Sequence, residues 1–178
     1  MPKKKYAQKI IEGGWYGIPL MNQQYALGLI ARYNKSSSFT LGYFFGPAYD
    51  KIPDCSYTKK HQANSAVLIK EVAHVGILYG TWPFICMAEN FNYADWPIPK
   101  FAYIDETEKP GYGYIREYVA DCIIFIKQSR VPIKELEGLP SDGLAGHIAL
   151  EISLTQALLG NEVVTYYKNL NPEKYNPW

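Results

Sequence analysis

Three cysteines and three histidines are the residues of this 178-residue chain best suited to nucleophilic or metal chemistry. Cys55 and His61 stand near each other beside Lys59 and Lys60, a setting that can lower a thiol pKa and activate a nucleophile. A catalytic pair must also meet in space, which spacing along the chain does not establish. The pattern therefore leaves a cysteine-dependent enzyme, with Cys55 as nucleophile, as an alternative only.

The wide spacing of these residues argues against a metal site, because zinc sites normally contain a close Cys or His pair. An odd number of scattered cysteines is also no disulfide framework, and it indicates a reducing compartment. Gly111-Tyr112-Gly113 precedes a strand and not a helix, so it does not predict a dinucleotide site. We expect a cytoplasmic protein with no catalytic residues, no metal and no cofactor. The cysteines and histidines are Cys55, Cys86, Cys122, His61, His74 and His147.

Carboxylates and aromatic residues are concentrated in the loop-rich segment 88–113. Trp and Tyr are favoured in interface cores, and complementary charge speeds association. We interpret the segment as an acidic, aromatic-flanked patch that faces a basic protein, the alternative being a solvated acidic loop. The predicted contact residues are Asp95, Trp96, Asp105, Glu106, Glu108 and Tyr112.

Short basic clusters near tyrosines leave a second alternative open, a small β-barrel nucleic-acid-binding or regulatory module. They contain Lys3, Lys4 and Lys5 at the start of the chain, and Lys59 and Lys60 further on. The formal net charge of +1 argues against a general attraction to nucleic acid or to an anionic membrane. No apolar run reaches the ~18 residues of a membrane span, so we expect neither membrane nor nucleic acid as a partner.

Alternating and β-branched residues predict a strand-rich chain with one helix. Asn22 is the residue of the first turn that best tolerates a positive φ. A Ser141 or Asp142 cap and a Gly160-Asn161 stop bound the helix. The predicted strands cover residues 14–20, 25–33, 38–47, 67–72, 75–78, 101–104 and 114–127.

The predicted helix is apolar on two sides, with His147, Glu151 and Thr155 on a narrow polar ridge between them. Such a helix is either sandwiched under its own chain or covered by a partner, which leaves a homo-oligomer through the C-terminal helix open. The fold class predicted is mainly β (α+β), a twisted antiparallel sheet or partly open barrel with a C-terminal helix. We expect a single domain over residues 1–178, with residues 1–12 as a loosely ordered N-terminal segment.

Three blocks, in order along the chain, resemble the bacterial immunity protein 26 family. They are "GWYGIPLMNQQYALGLIARY" near the start, "VGILYGTWPFIC" at 75–86 and "LEGLPSDGLAGHIALEISL" at 136–154. The resemblance implies a mainly β immunity protein of a bacterial polymorphic toxin or contact-dependent competition system. Such a protein binds and neutralises its cognate toxin domain in the cytoplasm, without catalysis.

The shared residues have a structural explanation. Ile18, Leu20 and Trp82 are expected in the core, and Pro19 and Pro83 at strand ends or edges. Partner specificity is then expected in the segments 89–113 and 50–62. If the toxin is a nuclease, the carboxylates of the first segment would meet its basic cleft in place of phosphates.

Overall fold

The computed structural model describes residues 8–37, 39–105, 107, 109–119 and 124–175. Within them, strands form two antiparallel sheets that do not close into a barrel, and helices follow at the C-terminal end. Strands hold 36% of the residues and helices 29%, which confirms the predicted mainly β fold. The strands are β1 (Gly14–Pro19), β2 (Tyr25–Tyr33), β3 (Phe39–Tyr49), β4 (Leu68–Ala73), β5 (Phe84–Met87), β6 (Phe101–Tyr103), β7 (Tyr112–Val119) and β8 (Ile124–Pro132).

The first sheet, called sheet A, has the strand order β4-β3-β2-β1-β5 and is covered on both faces. A sheet buried on both faces needs apolar residues at successive positions, which is why β1 to β3 are apolar almost throughout. Side chains on opposite faces enter two different clusters. The first core cluster includes Tyr16, Ile18, Ile30, Phe44 and Trp82. The second core cluster includes Trp15, Leu27, Leu29, Tyr43, Phe45, Trp96 and Phe101.

The turn between β1 and β2 differs from its prediction in one residue. Gln23, and not Asn22, has the positive φ of 70°. The side chain of Asn22 accepts a hydrogen bond from the Gln24 amide at 3.2 Å and donates one to Gln24 Oε1 at 2.7 Å. Asn22 therefore closes the turn through its side chain, and the next residue takes the left-handed backbone.

Two strand predictions are wrong. Residues Val75–Leu78 form a short helix, α1, in which Gly76 lies against the indole of Trp82. A Cβ at Gly76 would lie 2.7 Å from Trp82 Cε2, so tertiary packing of the indole decides this segment over its β propensity. The single strand predicted for 114–127 is two strands, β7 and β8, paired antiparallel with Glu117 opposite Lys127.

The predicted helix is present as α2 (His147–Leu159), and it is sandwiched. It begins after Gly146 and not at Ser141 or Asp142, and it ends at Gly160, which has a φ of 91°. One side carries Leu150 and Leu154 into the first core cluster. Ile148 and Ile152, on the other side, pack on a third cluster made of Met21, Val164 and Tyr175.

The sequence did not predict the two helices after α2, which supply that third cluster. They are α3 (Asn161–Leu170) and α4 (Pro172–Tyr175). Both apolar sides of α2 are covered by the same chain. The apolar surface of α2 that a homo-oligomer would bury is therefore already buried within the protein. Among the described residues, no helix has the length and apolarity that crossing a bilayer requires.

The polar ridge of α2 faces inward. Glu151 and Thr155 are buried, and Glu151 Oε1 accepts a hydrogen bond from Trp82 Nε1 at 2.9 Å. Thr155 Oγ1 accepts one from the Met21 amide at 3.0 Å and donates to the Glu151 carbonyl at 2.7 Å. Burial raises the pKa of Glu151, and the indole bond opposes that rise. The ridge thus fastens α2 to the turn after β1 and to the indole of the first core cluster.

The second sheet, called sheet B, has the order β6-β7-β8 and is joined to sheet A through residues 140–145. The Ala102 amide of β6 donates to the Pro140 carbonyl at 2.8 Å, and the Asp142 amide donates to the Ala102 carbonyl at 2.7 Å. Three residues later the Ala145 amide donates to the Glu71 carbonyl of β4 at 2.9 Å. One extended segment therefore pairs with the edge strands of both sheets.

Candidate functional site

An open cleft of about 870 Å³ lies between two loop segments, residues 55–62 and 87–96. We call it the loop cleft. The segments belong to the two regions, 50–62 and 89–113, in which sequence analysis expected partner specificity. Both segments meet over one face of sheet A, because His61 packs on Phe45 of β3 and on Trp15 of β1, and Trp15 pairs with Cys86 of β5.

The two walls of the loop cleft are cross-linked. Cys55 forms a disulfide with Cys86, across 31 residues of sequence. Lys59 Nζ lies 3.4 Å from Glu89 Oε2, and both side chains are exposed. The expectation of free cysteines is therefore wrong for this pair, because the fold brings two distant cysteines together. The free Cys55 thiolate that a cysteine-dependent enzyme needs is absent from the disulfide-bonded structure.

Short capped turns shape both walls. Asp54 Oδ1 accepts a hydrogen bond from the Ser56 amide at 2.8 Å, which starts the 3-10 helix Cys55–Lys60. Bonds from the Ser56 hydroxyl and amide lower the pKa of Asp54. On the other wall, Asn92 Oδ1 accepts from the Ala94 amide at 3.0 Å and starts the turn Tyr93–Asp95. Asp and Asn are suited to this because their short side chains reach backbone amides two residues on.

The floor of the loop cleft is aromatic. The imidazole of His61 lies 4.7 Å from the ring centroid of Phe45 and 6.0 Å from that of Trp15. Burial, followed by the neighbouring charge of Lys60, lowers the pKa of His61, so the ring is neutral at pH 7. Its Nε2 atom is buried and has no hydrogen-bond partner among the described residues. Trp96 meets Trp15 edge-on at 6.0 Å and closes the floor from the second wall.

The predicted contact residues do not all meet at this site. Asp95 and Trp96 line the loop cleft. Asp95 is exposed, and its carboxylate has no ion pair or hydrogen bond among the described residues. Trp96 is only 7% exposed and belongs to the second core cluster, so it supports the cleft from below.

The other predicted contact residues belong to the connection between β6 and β7 and to the start of β7. Asp105 Oδ1 accepts hydrogen bonds from the Thr107 amide at 2.9 Å and the Thr107 hydroxyl at 2.6 Å. Tyr112 is 41% exposed, and the guanidinium of Arg130 lies 3.9 Å from its ring centroid. Glu106 and Glu108 lie outside the described residues. Neither Asp105 nor Tyr112 lines the loop cleft.

A charged cluster at the junction of the two sheets was missed by sequence reasoning. Arg116 Nη1 of β7 donates to Asp142 Oδ2 at 2.7 Å, and the Tyr118 hydroxyl donates to the same carboxylate at 3.1 Å. Lys70 Nζ of β4 donates to the Ser141 carbonyl at 2.9 Å. Burial, with the charge of Asp142 as the second cause, raises the pKa of Tyr118 to about 12. These residues are far apart in sequence, and no motif joins them.

The described residues do not form a metal site. Among the residues that the structure describes, no three His, Cys, Asp or Glu side chains come together as metal ligands would. His147 and Glu151 line a second cavity of about 460 Å³ with Lys174, but Glu151 is already bonded to the indole of Trp82. Glu151 is buried on the polar ridge of α2, so it faces the interior of the protein and not solvent.

A comparison with known proteins identifies the family. The family model for Immunity protein 26 matches residues 11–112, which is more than half of the chain. No curated protein and no solved structure matches the chain. The first two sequence blocks lie inside the matched range, and Ile18, Leu20 and Trp82 within them are buried as predicted. The third block lies beyond it. The chain therefore belongs to the Immunity protein 26 family.

Proposed function

We propose that this protein binds a cognate toxin domain of a bacterial polymorphic toxin system and neutralises it in the cytoplasm, without catalysis. Membership of the Immunity protein 26 family is the observation that carries the proposal, because the family fits an immunity role. The expected partner is accordingly a toxin protein. Whether this chain binds it, and where, is the part that experiment must test.

The loop cleft is the site we propose for the first contacts with the toxin. Its lining includes the aromatic side chains of Trp15, Phe91 and Trp96, and the segments that form its walls also carry Tyr57, 43% exposed, and Tyr93, 51% exposed. Tyr supplies large contact area at a small cost in side-chain entropy, and it is enriched at interfaces. The disulfide and the capped turns hold the backbone of both walls. A preorganised surface of this kind loses less entropy on binding than a flexible loop would.

In this proposal, the carboxylates at and near the loop cleft favour a basic partner. Asp95 supplies a carboxylate at the loop cleft that has no partner among the described residues, while Asp105, Glu106 and Glu108 continue the acidic character along the sequence towards Tyr112. Carboxylates on an immunity protein can occupy the positions of phosphates in a nuclease cleft. Complementary charge of this kind raises the association rate and the salt dependence of binding. Trp96 holds the floor beneath Asp95 and contributes through that packing.

The test is co-expression with the toxic domain encoded by the adjacent gene, scoring survival and co-purification together. We expect the wild-type protein to protect and to co-purify, and Asp95→Lys to weaken the complex about tenfold, which is ~1.4 kcal/mol. Glu162→Lys is the matched control, since Glu162 is an exposed acid in the first turn of α3. It should leave the affinity within about twofold, as surface substitutions away from an interface do.

The outcomes separate the proposals. Equal affinity of Asp95→Lys and the wild type would remove Asp95 from the interface and leave toxin binding standing. Survival without a complex would indicate an enzyme or regulator that undoes the damage. Failure to protect against a verified active toxin would contradict the immunity role and favour the nucleic-acid-binding module. That module predicts salt-dependent binding to single strands.

A further inference from the structure

The outer strand of sheet B has no partner on one side. β8 pairs with β7 from Tyr112↔Pro132 to Val119↔Ile124, and no described strand pairs with its other edge. An edge strand presents backbone N–H and C=O groups that can pair with another chain. Proteins commonly recognise extended segments by adding them to such an edge. We call this hairpin the β7–β8 ribbon.

One end of the β7–β8 ribbon is apolar and exposed. Ile124 is 57% exposed, Phe125 49% and Ile126 56%, and Val119 on β7, opposite Ile124, is 42% exposed. Ile124 and Ile126 share one face of the sheet with Val119, while Phe125 lies on the other face against Tyr118. Single exposed apolar residues are ordinary, but a contiguous group such as the first three marks an interaction surface. At the inner end of the sheet, Phe101 is buried in the second core cluster and Tyr118 packs against that cluster. Sheet B is therefore packed at its inner end against the second core cluster. The outer edge of β8 remains unpaired among the described strands.

The charges of β8 indicate the chemistry of its partner. Lys127 and Arg130 are its only charged residues, and both are cationic. Glu117 lies opposite Lys127 in the register, but its carboxylate is 3.3 Å from Lys100 Nζ. Antiparallel pairing of two copies of β8 would bring together four cations with no anion from either strand. Like charges across a strand pair are destabilising, so the edge fits a segment that carries carboxylates.

The match to the family model ends near the start of this ribbon. It ends at Tyr112, the first residue of β7, so nearly all of the ribbon lies beyond the matched range. Specificity is a difference between affinities, to which elements outside the matched range can contribute along with the loop cleft. An immunity protein must distinguish its own toxin from others. The ribbon offers an exposed surface for that purpose.

We infer that β8 is the strand to which the cognate toxin adds an extended, carboxylate-bearing segment, with Ile124 and Ile126 as its apolar anchors. The inference rests on the proposed function and names the element of this chain that selects the partner. Backbone hydrogen bonds along β8 supply affinity, and Lys127 with the apolar end fixes the register.

Hydrogen exchange of the full-length protein tests the pairing directly. The probe is the toxin domain encoded by the adjacent gene, inactivated in its own active site, and the readout is amide exchange with and without it. We expect the amides of β8 to exchange about tenfold or more slowly in the complex, while those of α3 do not change. Ile126→Ser should weaken binding about tenfold, the size expected for an apolar anchor. Lys127→Gln should reduce the salt dependence of the affinity.

A matched control is available on α3. Leu170 is 57% exposed, as exposed as Ile126, and Leu170→Ser should leave the affinity unchanged. Toxin binding with unprotected β8 amides and an unaffected Ile126→Ser variant would overturn the inference while the proposed function stands. Failure of the wild type to bind the toxin would instead contradict the proposed function. A wild-type dimer in light scattering that Ile126→Ser converts to a monomer would assign β8 to a second copy and overturn the toxin as its occupant.

Discussion

Glu71 is the residue whose environment makes the clearest prediction for solution behaviour. Burial, followed by the charge of Asp142, raises its pKa to about 7, and Lys70 opposes the rise. The folded protein then binds a proton at Glu71 between pH 4.5 and 7 that the unfolded chain does not hold. By linkage this contribution to stability is complete below about pH 4.5 and is lost as the pH rises through 7.

The free energy of unfolding of the wild type should therefore fall between about pH 5 and 8, and Glu71→Gln should make that fall smaller. Urea denaturation at a series of pH values measures both. The wild type should lose on the order of 1 kcal/mol relative to the variant across that range, because solvent screens a half-buried group. Burial lowers the pKa values of His61, His74 and His147, which acts in the opposite direction in both proteins. The difference between the two curves isolates Glu71, and parallel curves would contradict its raised pKa.

Between elements, the Cys55–Cys86 disulfide ties the 3-10 helix after β3 to the edge strand β5. Closing a loop across 31 residues removes entropy from the unfolded chain, worth about 3 to 4 kcal/mol in the chain-entropy model. Cys86→Ser should lower the free energy of unfolding by about 2 to 4 kcal/mol. A reductant should lower that of the wild type equally and leave that of the variant unchanged. If the reductant left the free energy of unfolding of the wild type unchanged, a stabilising role for the disulfide would be contradicted.

The presence of the disulfide bears on the proposed cytoplasmic location of the protein. Disulfides are rare in the cytosol because thiol systems keep cysteines reduced. A cytoplasmic immunity protein would then act with the disulfide reduced, while the exposed ion pair of Lys59 and Glu89 still joins the walls of the loop cleft. Measuring toxin affinity for the Cys86→Ser variant would report how much of the preorganisation of the cleft depends on the disulfide.

The elements show how far the sequence predicted this molecule. The alternating and β-branched residues are sufficient to predict β1 to β3, each of which pairs with the next strand along the chain. They are insufficient for Val75–Leu78, where the approach of Gly76 to Trp82 decides the helix. They also gave no sign of a break between β7 and β8, because residues 120–123 contain neither Gly nor Pro. Both segments of the loop cleft were proposed as specificity regions, but their contact depends on packing over one face of sheet A, which spacing along the chain does not encode.

For the whole molecule, the link between the two sheets decides whether the chain behaves as the single domain that its length predicts. Sheet B is held by residues 140–145 and by the ion pair of Asp142 with Arg116, in which the Asp142 side chain is 3% exposed. Removing one partner of a buried pair leaves the other charge uncompensated and is strongly destabilising. The junction therefore also fixes the position from which the β7–β8 ribbon would meet a toxin.

Asp142→Ala should lower the free energy of unfolding by about 2 to 4 kcal/mol, less than for a fully buried pair because Arg116 is 25% exposed. Lys100→Ala is the control, since its pair with Glu117 is 59% and 31% exposed and should contribute less than about 1 kcal/mol. We expect one cooperative transition for the wild type in calorimetry, and for Asp142→Ala an earlier loss of amide protection in sheet B than in sheet A. Equal costs for the two substitutions, with sheet B protected as before, would mean that backbone pairing along 140–145 and the packing of Phe101 hold the sheets together without the ion pair.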